Sequence, residues 1–105
     1  MNYQEIDGEE LQEILNNKEQ QEYVLLDVRT PEEIEAERIP GSISINFYDA
    51  DFRERIQALD KDKTYYVYCR SGNRSGKACA MMMDAGFKEC HNLIGGMMAW
   101  SGDAE

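Results

Sequence analysis

The sequence predicts an α/β fold in which a small parallel β-sheet carries helices on both faces, and three observations lead there. Tyr23-Val24-Leu25-Leu26-Asp27-Val28 and Tyr65-Tyr66-Val67-Tyr68 are short apolar runs rich in β-branched or aromatic residues, the composition of strands buried on both sides. Stretches with helical spacing of apolar residues lie between and around these runs. Strand and helix alternate along the chain, and that alternation builds a parallel sheet through right-handed crossovers.

The elements follow in order. Glu9 to Asn16 places Leu11, Ile14 and Leu15 on one helical face ahead of the strand from Tyr23 to Val28. Thr30-Pro31-Glu32-Glu33 supplies a capping threonine, a proline at the first helical position and a glutamate at the third, so a short helix begins directly after that strand. Pro40-Gly41 marks a turn, and Ser44-Ile45-Asn46 reads as a short strand. Ala50 to Leu59 has Phe52, Ile56 and Leu59 on one helical face and leads to the strand Tyr65 to Tyr68. A helix over Gly76 to Ala85 ends at Gly86, placed as its C′ residue, and His91-Asn92-Leu93-Ile94 reads as a last short strand.

The chain is expected to be one domain over residues 1–105, without repeats or low-complexity segments. No apolar run approaches the length of a membrane span, and Met-Asn-Tyr-Gln-Glu-Ile-Asp at the start has no basic or apolar signal region, so a soluble cytoplasmic protein is expected. Cys69, Cys79 and Cys90 fit neither a disulfide framework nor paired zinc-ligand motifs, which points to free thiols in a reducing compartment and to no metal or cofactor. Eleven basic and 21 acidic residues give a net charge of −10, which opposes binding to nucleic acid or an anionic membrane. The charge is uneven. Residues 63–91 hold Lys63, Arg70, Arg74, Lys77 and Lys88 against Asp84 and Glu89, so the anion-attracting segment is the one containing Cys69.

Cys69-Arg70-Ser71-Gly72-Asn73-Arg74-Ser75 follows a buried strand and precedes a helix. A polar loop closing onto a helix N-terminus gathers backbone N–H groups around one point and favours anions. A thiol at that point ionises easily, because the helix end and the side chains of Arg70 and Arg74 stabilise the thiolate; such surroundings bring a cysteine from roughly 8.5 into the range of about 3.5 to 7.5. Cys69 is the candidate nucleophile. In parallel sheets ligands bind beyond the carboxyl ends of the strands, and the Asp27-Val28-Arg29-Thr30 corner shares that edge with the Cys69 loop.

Four segments together resemble the single-domain rhodanese family of sulfurtransferases, over residues 6–102. Asp27-Val28-Arg29-Thr30-Pro31-Glu32-Glu33 is similar to its first signature, and Ile39-Pro40-Gly41-Ser42 with Ile45-Asn46 to its second. Cys69 to Ser75 resembles its active-site loop and Gly95-Gly96-Met97-Met98-Ala99-Trp100 its closing motif. The resemblance implies a rhodanese-like sheet of about five strands, Cys69 as the residue that carries sulfur as a persulfide, and Arg70, Ser71, Gly72, Asn73, Arg74 and Ser75 as the groups that bind the substrate anion. The chain departs from the family in having Glu37-Arg38 where Gly-His is usual, and its short tail after Trp100 is expected to leave one flank of the site more open.

Thiosulfate, the donor that the resemblance implies, has an electrophilic outer sulfur and a stable anionic leaving group, sulfite, so no general acid is required. A thiol or cyanide acceptor then takes the sulfur, which predicts ping-pong kinetics. The expected partners are a small anionic sulfur donor and a thiol or sulfur-acceptor protein. Two rivals stand beside this. A phosphatase or arsenate reductase of related architecture resembles Cys-x5-Arg, whereas four residues separate Cys69 from Arg74; a catalytically silent binding module usually lacks the cysteine or the loop arginines, which this chain keeps. Asp27 and Arg29 are expected to form an ion pair that supports the loop, with contact to substrate as the alternative. His91 is read as structural, Cys79 as packing, Met81, Met82, Met83, Met97 and Met98 as core filler, and Trp100 as packing against the sheet. Cys90 is left without a role.

Overall fold

The computed structural model describes residues 2–17 and 22–105. Its elements are β1 (Gln4–Ile6), α1 (Gly8–Asn16), β2 (Tyr23–Asp27), α2 (Pro31–Ala36), β3 (Ile43–Ser44), α3 (Phe52–Gln57), β4 (Thr64–Tyr68), α4 (Asn73–Asp84), β5 (Glu89–Leu93) and α5 (Gly96–Ala99). The strands form one five-stranded sheet in the order β1-β5-β4-β2-β3, and every neighbouring pair is parallel. The α/β class and the parallel sheet follow the expectation. β1 does not: Gln4-Glu5-Ile6 has only one apolar residue, because an edge strand with only Ile6 buried needs no apolar run.

Alternation along the strands splits the core in two. Leu26, Val28, Tyr65 and Val67 pack with Phe52 and Ile56 of α3 and Ala78, Cys79, Met82 and Met83 of α4. Leu25, Tyr66, Tyr68 and Leu93 pack on the other face with Leu11 of α1, and Met97 and Trp100 close against them. Two layers of helix thus sandwich the sheet. Cys69 lies in the first cluster and is fully buried.

Local signals account for the helix starts. Asp7 and Glu10 form a reciprocal capping box on α1, and Thr30 and Glu33 form another on α2 with Pro31 in the first turn. Gly86 sits just past α4 at φ 96°, as its position predicted.

Several boundaries differ from expectation. β3 is Ile43–Ser44, earlier than Ser44 to Asn46, because the ladder continues past it as single bonds from Ile45 N–H to the Asp27 carbonyl and from Phe47 N–H to that of Val28. α3 is shortened at its start by turns from Asn46 to Phe52, and β5 begins at Glu89. α4 begins at Asn73 rather than Gly76, so the second half of the cysteine loop is itself the first helical turn. Among the methionines read as core, Met98 is instead 69% exposed. The tail after Trp100 is not loose: Arg38 and Glu105 exchange two backbone hydrogen bonds of 2.8 Å, and the Trp100 indole N–H donates to the Asp103 carbonyl.

Candidate active site

The site is built where β4 ends. Cys69 follows Tyr68 directly, and Gly72 turns the chain into α4 at φ 104°, a left-handed conformation that glycine adopts without strain. The turn folds the next amides back over the thiol. Cys69 Sγ accepts from Gly72 N–H at 3.1 Å, from Ser75 N–H at 3.4 Å and from the Ser75 hydroxyl at 3.3 Å.

Burial opposes ionisation of this thiol, but the Ser75 hydroxyl and the amides of Ser75, Gly72 and Ser71 outweigh it and hold the Cys69 pKa below that of an ordinary cysteine. The other two thiols behave oppositely. Burial in the core pushes Cys90 up to about 12 and Cys79 further still, so both remain protonated packing groups.

A residue that sequence reasoning missed braces the loop. Asn92 of β5 is buried, donates from Nδ2 to the Gly72 carbonyl at 3.1 Å and accepts from the Ser75 hydroxyl at Oδ1, 2.5 Å away. Its only sequence signal is an amide side chain directly before Leu93 and Ile94 at the strand end. From below, α5 supports the same backbone: Met97 N–H donates to the Cys69 carbonyl and Met98 N–H to that of Arg70, both at 2.9 Å.

The two arginines are placed differently from each other. Arg74 makes a two-pronged ion pair with Glu33 of α2, at 2.8 and 3.0 Å, beneath the Tyr48 ring at 5.5 Å. Its guanidinium holds the Glu33 carboxyl down at about 2, against an ordinary 4.5. Arg70 is exposed, and among the described residues its guanidinium makes no hydrogen bond or ion pair. The leading stabilisation of the Cys69 thiolate therefore comes from hydrogen bonds rather than from the arginines that the sequence put forward. Ser71 and Asn73 lie exposed on the loop beside Arg70.

Asp27 and Arg29 do form an ion pair, at 2.8 Å and almost wholly buried. Arg29 also donates to the carbonyls of Glu33 and Glu37, so the pair ties β2 to the end of α2, the helix whose Glu33 grips Arg74. Arg29, Glu33, Ala36, Glu37, Arg70, Met97 and Met98 line an open cavity of about 420 Å³ at this edge. His91 lies on the opposite face of the sheet, stacked on Tyr66 and 2.6 Å from Glu89. Among the described residues no cluster of three or more His, Cys, Asp or Glu side chains is placed to hold a metal ion, and no helix is long and apolar enough to cross a membrane.

Comparison with known proteins agrees with this architecture. Residues 8–103 match the Rhodanese-like domain family. The chain is 42% identical over 85 residues to YtwF of Bacillus subtilis, covering 81% of this chain and 80% of the relative. It is 38% identical over 97 residues to a sulfurtransferase of Allochromatium vinosum, covering 92% and 87%. Its fold is similar to a crystal structure of a rhodanese-related protein from Thermoplasma volcanium, with a TM-score of 0.83 at 30% identity over 98% of each chain.

Proposed function

The chain belongs to the rhodanese-like domain family, and from that we propose that it is a sulfurtransferase that moves sulfane sulfur to a thiol or cyanide through a persulfide on Cys69. The observation that carries this is the convergence of the Gly72 and Ser75 amides and the Ser75 hydroxyl on one buried sulfur. A thiolate so held is a ready nucleophile that needs no imidazole base.

With thiosulfate as donor, the Cys69 thiolate attacks the outer sulfur, a new S–S bond forms, and the old S–S bond breaks with its electron pair leaving on sulfite. The persulfide anion keeps the charge the thiolate had, inside the same ring of donors. An acceptor thiolate then attacks the outer sulfur of the persulfide, leaving Cys69 as thiolate and the acceptor as its own persulfide. Both half-reactions are displacements at sulfur with anionic leaving groups. In this reading the exposed guanidinium of Arg70 and the loop from Ser71 to Asn73 hold the donor's sulfonate end. The acceptor is a small thiol or a sulfur-acceptor protein, and residues 1–105 act as one domain.

Intact-mass measurement tests this. Thiosulfate treatment should add one sulfur atom, cyanide should remove it, and Cys69→Ser should abolish the gain while Cys79→Ser and Cys90→Ser retain it. An unchanged gain in Cys69→Ser, or hydrolysis of aryl phosphates with no persulfide formed, would overturn the proposal.

A further inference from the structure

The residues after Trp100 build a second cavity, apart from the one at Arg70. The Trp100 indole N–H donates to the Asp103 carbonyl at 2.9 Å, Gln12 Nε2 of α1 donates to the Ser101 hydroxyl at 3.2 Å, and the Arg38 guanidinium pairs with the Glu105 carboxylate at 3.1 Å. Gly102 lies so close to the indole that a Cβ there would come within 2.5 Å of the ring. These contacts fix the tail as a wall. Between that wall, α1 and the Ile39-Pro40 turn lies a cavity of about 290 Å³ that shares no lining residue with the cavity at Arg70.

Its chemistry is one-sided. Leu15, Ile39, Pro40 and Trp100 give it apolar walls, and Asp103 is the one charged side chain that lines it among the described residues. The Asp103 carboxylate has no ion pair or hydrogen bond among those residues. Arg38, next to Ile39 in the chain, is already taken by Glu105. Glu9 and Glu13 stand exposed on α1 three positions before Gln12 and Asn16, so they add negative charge beside the cavity. An organic anion meets repulsion here, and an uncharged molecule leaves Asp103 unused. A cation with an apolar body uses both the carboxylate and the aromatic wall.

We propose that this cavity is a binding site for a small organic ammonium ion with an apolar or aromatic body, the body against Leu15, Ile39 and Trp100 and the ammonium group toward Asp103. The site contains no part of the Cys69 loop, and its test requires no sulfur transfer.

Trp100 is the only tryptophan in the chain, so its fluorescence reports on this cavity directly. Titration of the full chain with phenethylammonium at low ionic strength should give a saturable change, and phenylpropionate, similar in size and opposite in charge, should bind about tenfold more weakly or worse. Asp103→Asn should weaken phenethylammonium binding about three- to fivefold, the worth of an exposed ion pair. Asn16→Lys places an ammonium group of the chain's own at the rim, where the end of α1 favours it, and should weaken binding at least as much. Both side chains are exposed, so the fold survives either change. Equal binding of the cation and the anion, the lack of any saturable change, or binding undiminished in either variant would overturn the proposal.

Discussion

The Ser75 hydroxyl lies 2.5 Å from Oδ1 of Asn92 while standing 3.3 Å from the sulfur of Cys69. A hydroxyl has one proton, and Asn92 Oδ1 is fixed as an acceptor because Nδ2 donates to Gly72. The proton therefore has two claimants. With a neutral thiol it belongs to Asn92; once the sulfur is charged, the thiolate draws it away.

This sharing separates two variants. Ser75→Ala removes a donor to the thiolate, so its pKa rises and iodoacetamide alkylation near pH 6 should slow about tenfold, the loss of one hydrogen bond to a charged group. Asn92→Ala leaves that proton to the sulfur and should not move the alkylation profile upward. It frees the Gly72 carbonyl instead, and sulfur-transfer turnover should fall about tenfold as the loop loses its fixed geometry. Identical profiles for wild type and Ser75→Ala would refute the hydrogen-bond account.

Glu33 gives the fold an acid-sensitive contribution. Its pKa in the folded chain is about 2, below the ordinary 4.5. A depressed carboxyl stabilises the fold fully above its unfolded value and loses that contribution as pH falls through the folded one, so the window runs from about 4.5 down to about 2. With both partners partly exposed, solvent screening leaves about 1 to 2 kcal/mol. Urea unfolding at pH 7 should show Glu33→Gln weaker by that amount, with the difference vanishing at the acid end of the window. A constant difference across this range would mean that the pair is not the cause.

Gly96 has no room for a side chain. At φ 53°, a Cβ there would collide with the Cys69 carbonyl oxygen and come within 2.6 Å of the Arg70 carbonyl. Gly96→Ala must displace the backbone that carries the nucleophile. Thermal unfolding should show a loss of about 1 to 3 kcal/mol, and thiosulfate turnover should fall by more than that stability loss explains. Wild-type activity would show that the loop tolerates displacement.

Asp27 is fully buried with Arg29 as its ion-pair partner. Asp27→Ala leaves an unpaired guanidinium in the interior and should cost about 3 to 5 kcal/mol in urea unfolding. A cost below about 1 kcal/mol would mean that Arg29 escapes to water.

What could be read from the sequence divides along physical lines. The run Tyr65 to Tyr68, the Thr30-Pro31-Glu33 cap and the Cys69 loop were legible because each is written in adjacent residues. Glu33 was legible only by half: its Oε1 does accept from Thr30 N–H at 3.1 Å, but the same oxygen accepts from Arg74 across 41 positions of chain, and no local pattern announces that. Asn92 is the same case, a partner delivered by strand pairing between β4 and β5. β1 was invisible because its register with β5 joins residues 4–6 to residues 91–93, with only Ile6 needing to be apolar.

The brace supplied by Asn92 also sets when the loop reaches its working geometry. Gly72 lies twenty residues before Asn92, with all of α4 between them, so the contact forms only after β5 has docked beside β4. Until that docking, the loop lacks the tie that fixes the Gly72 peptide and the Ser75 hydroxyl. A chain in which β5 has not docked thus carries a thiol at position 69 whose loop is not held in its working geometry, and recovery of sulfur-transfer turnover, rather than of alkylation, becomes a clock for the docking of β5.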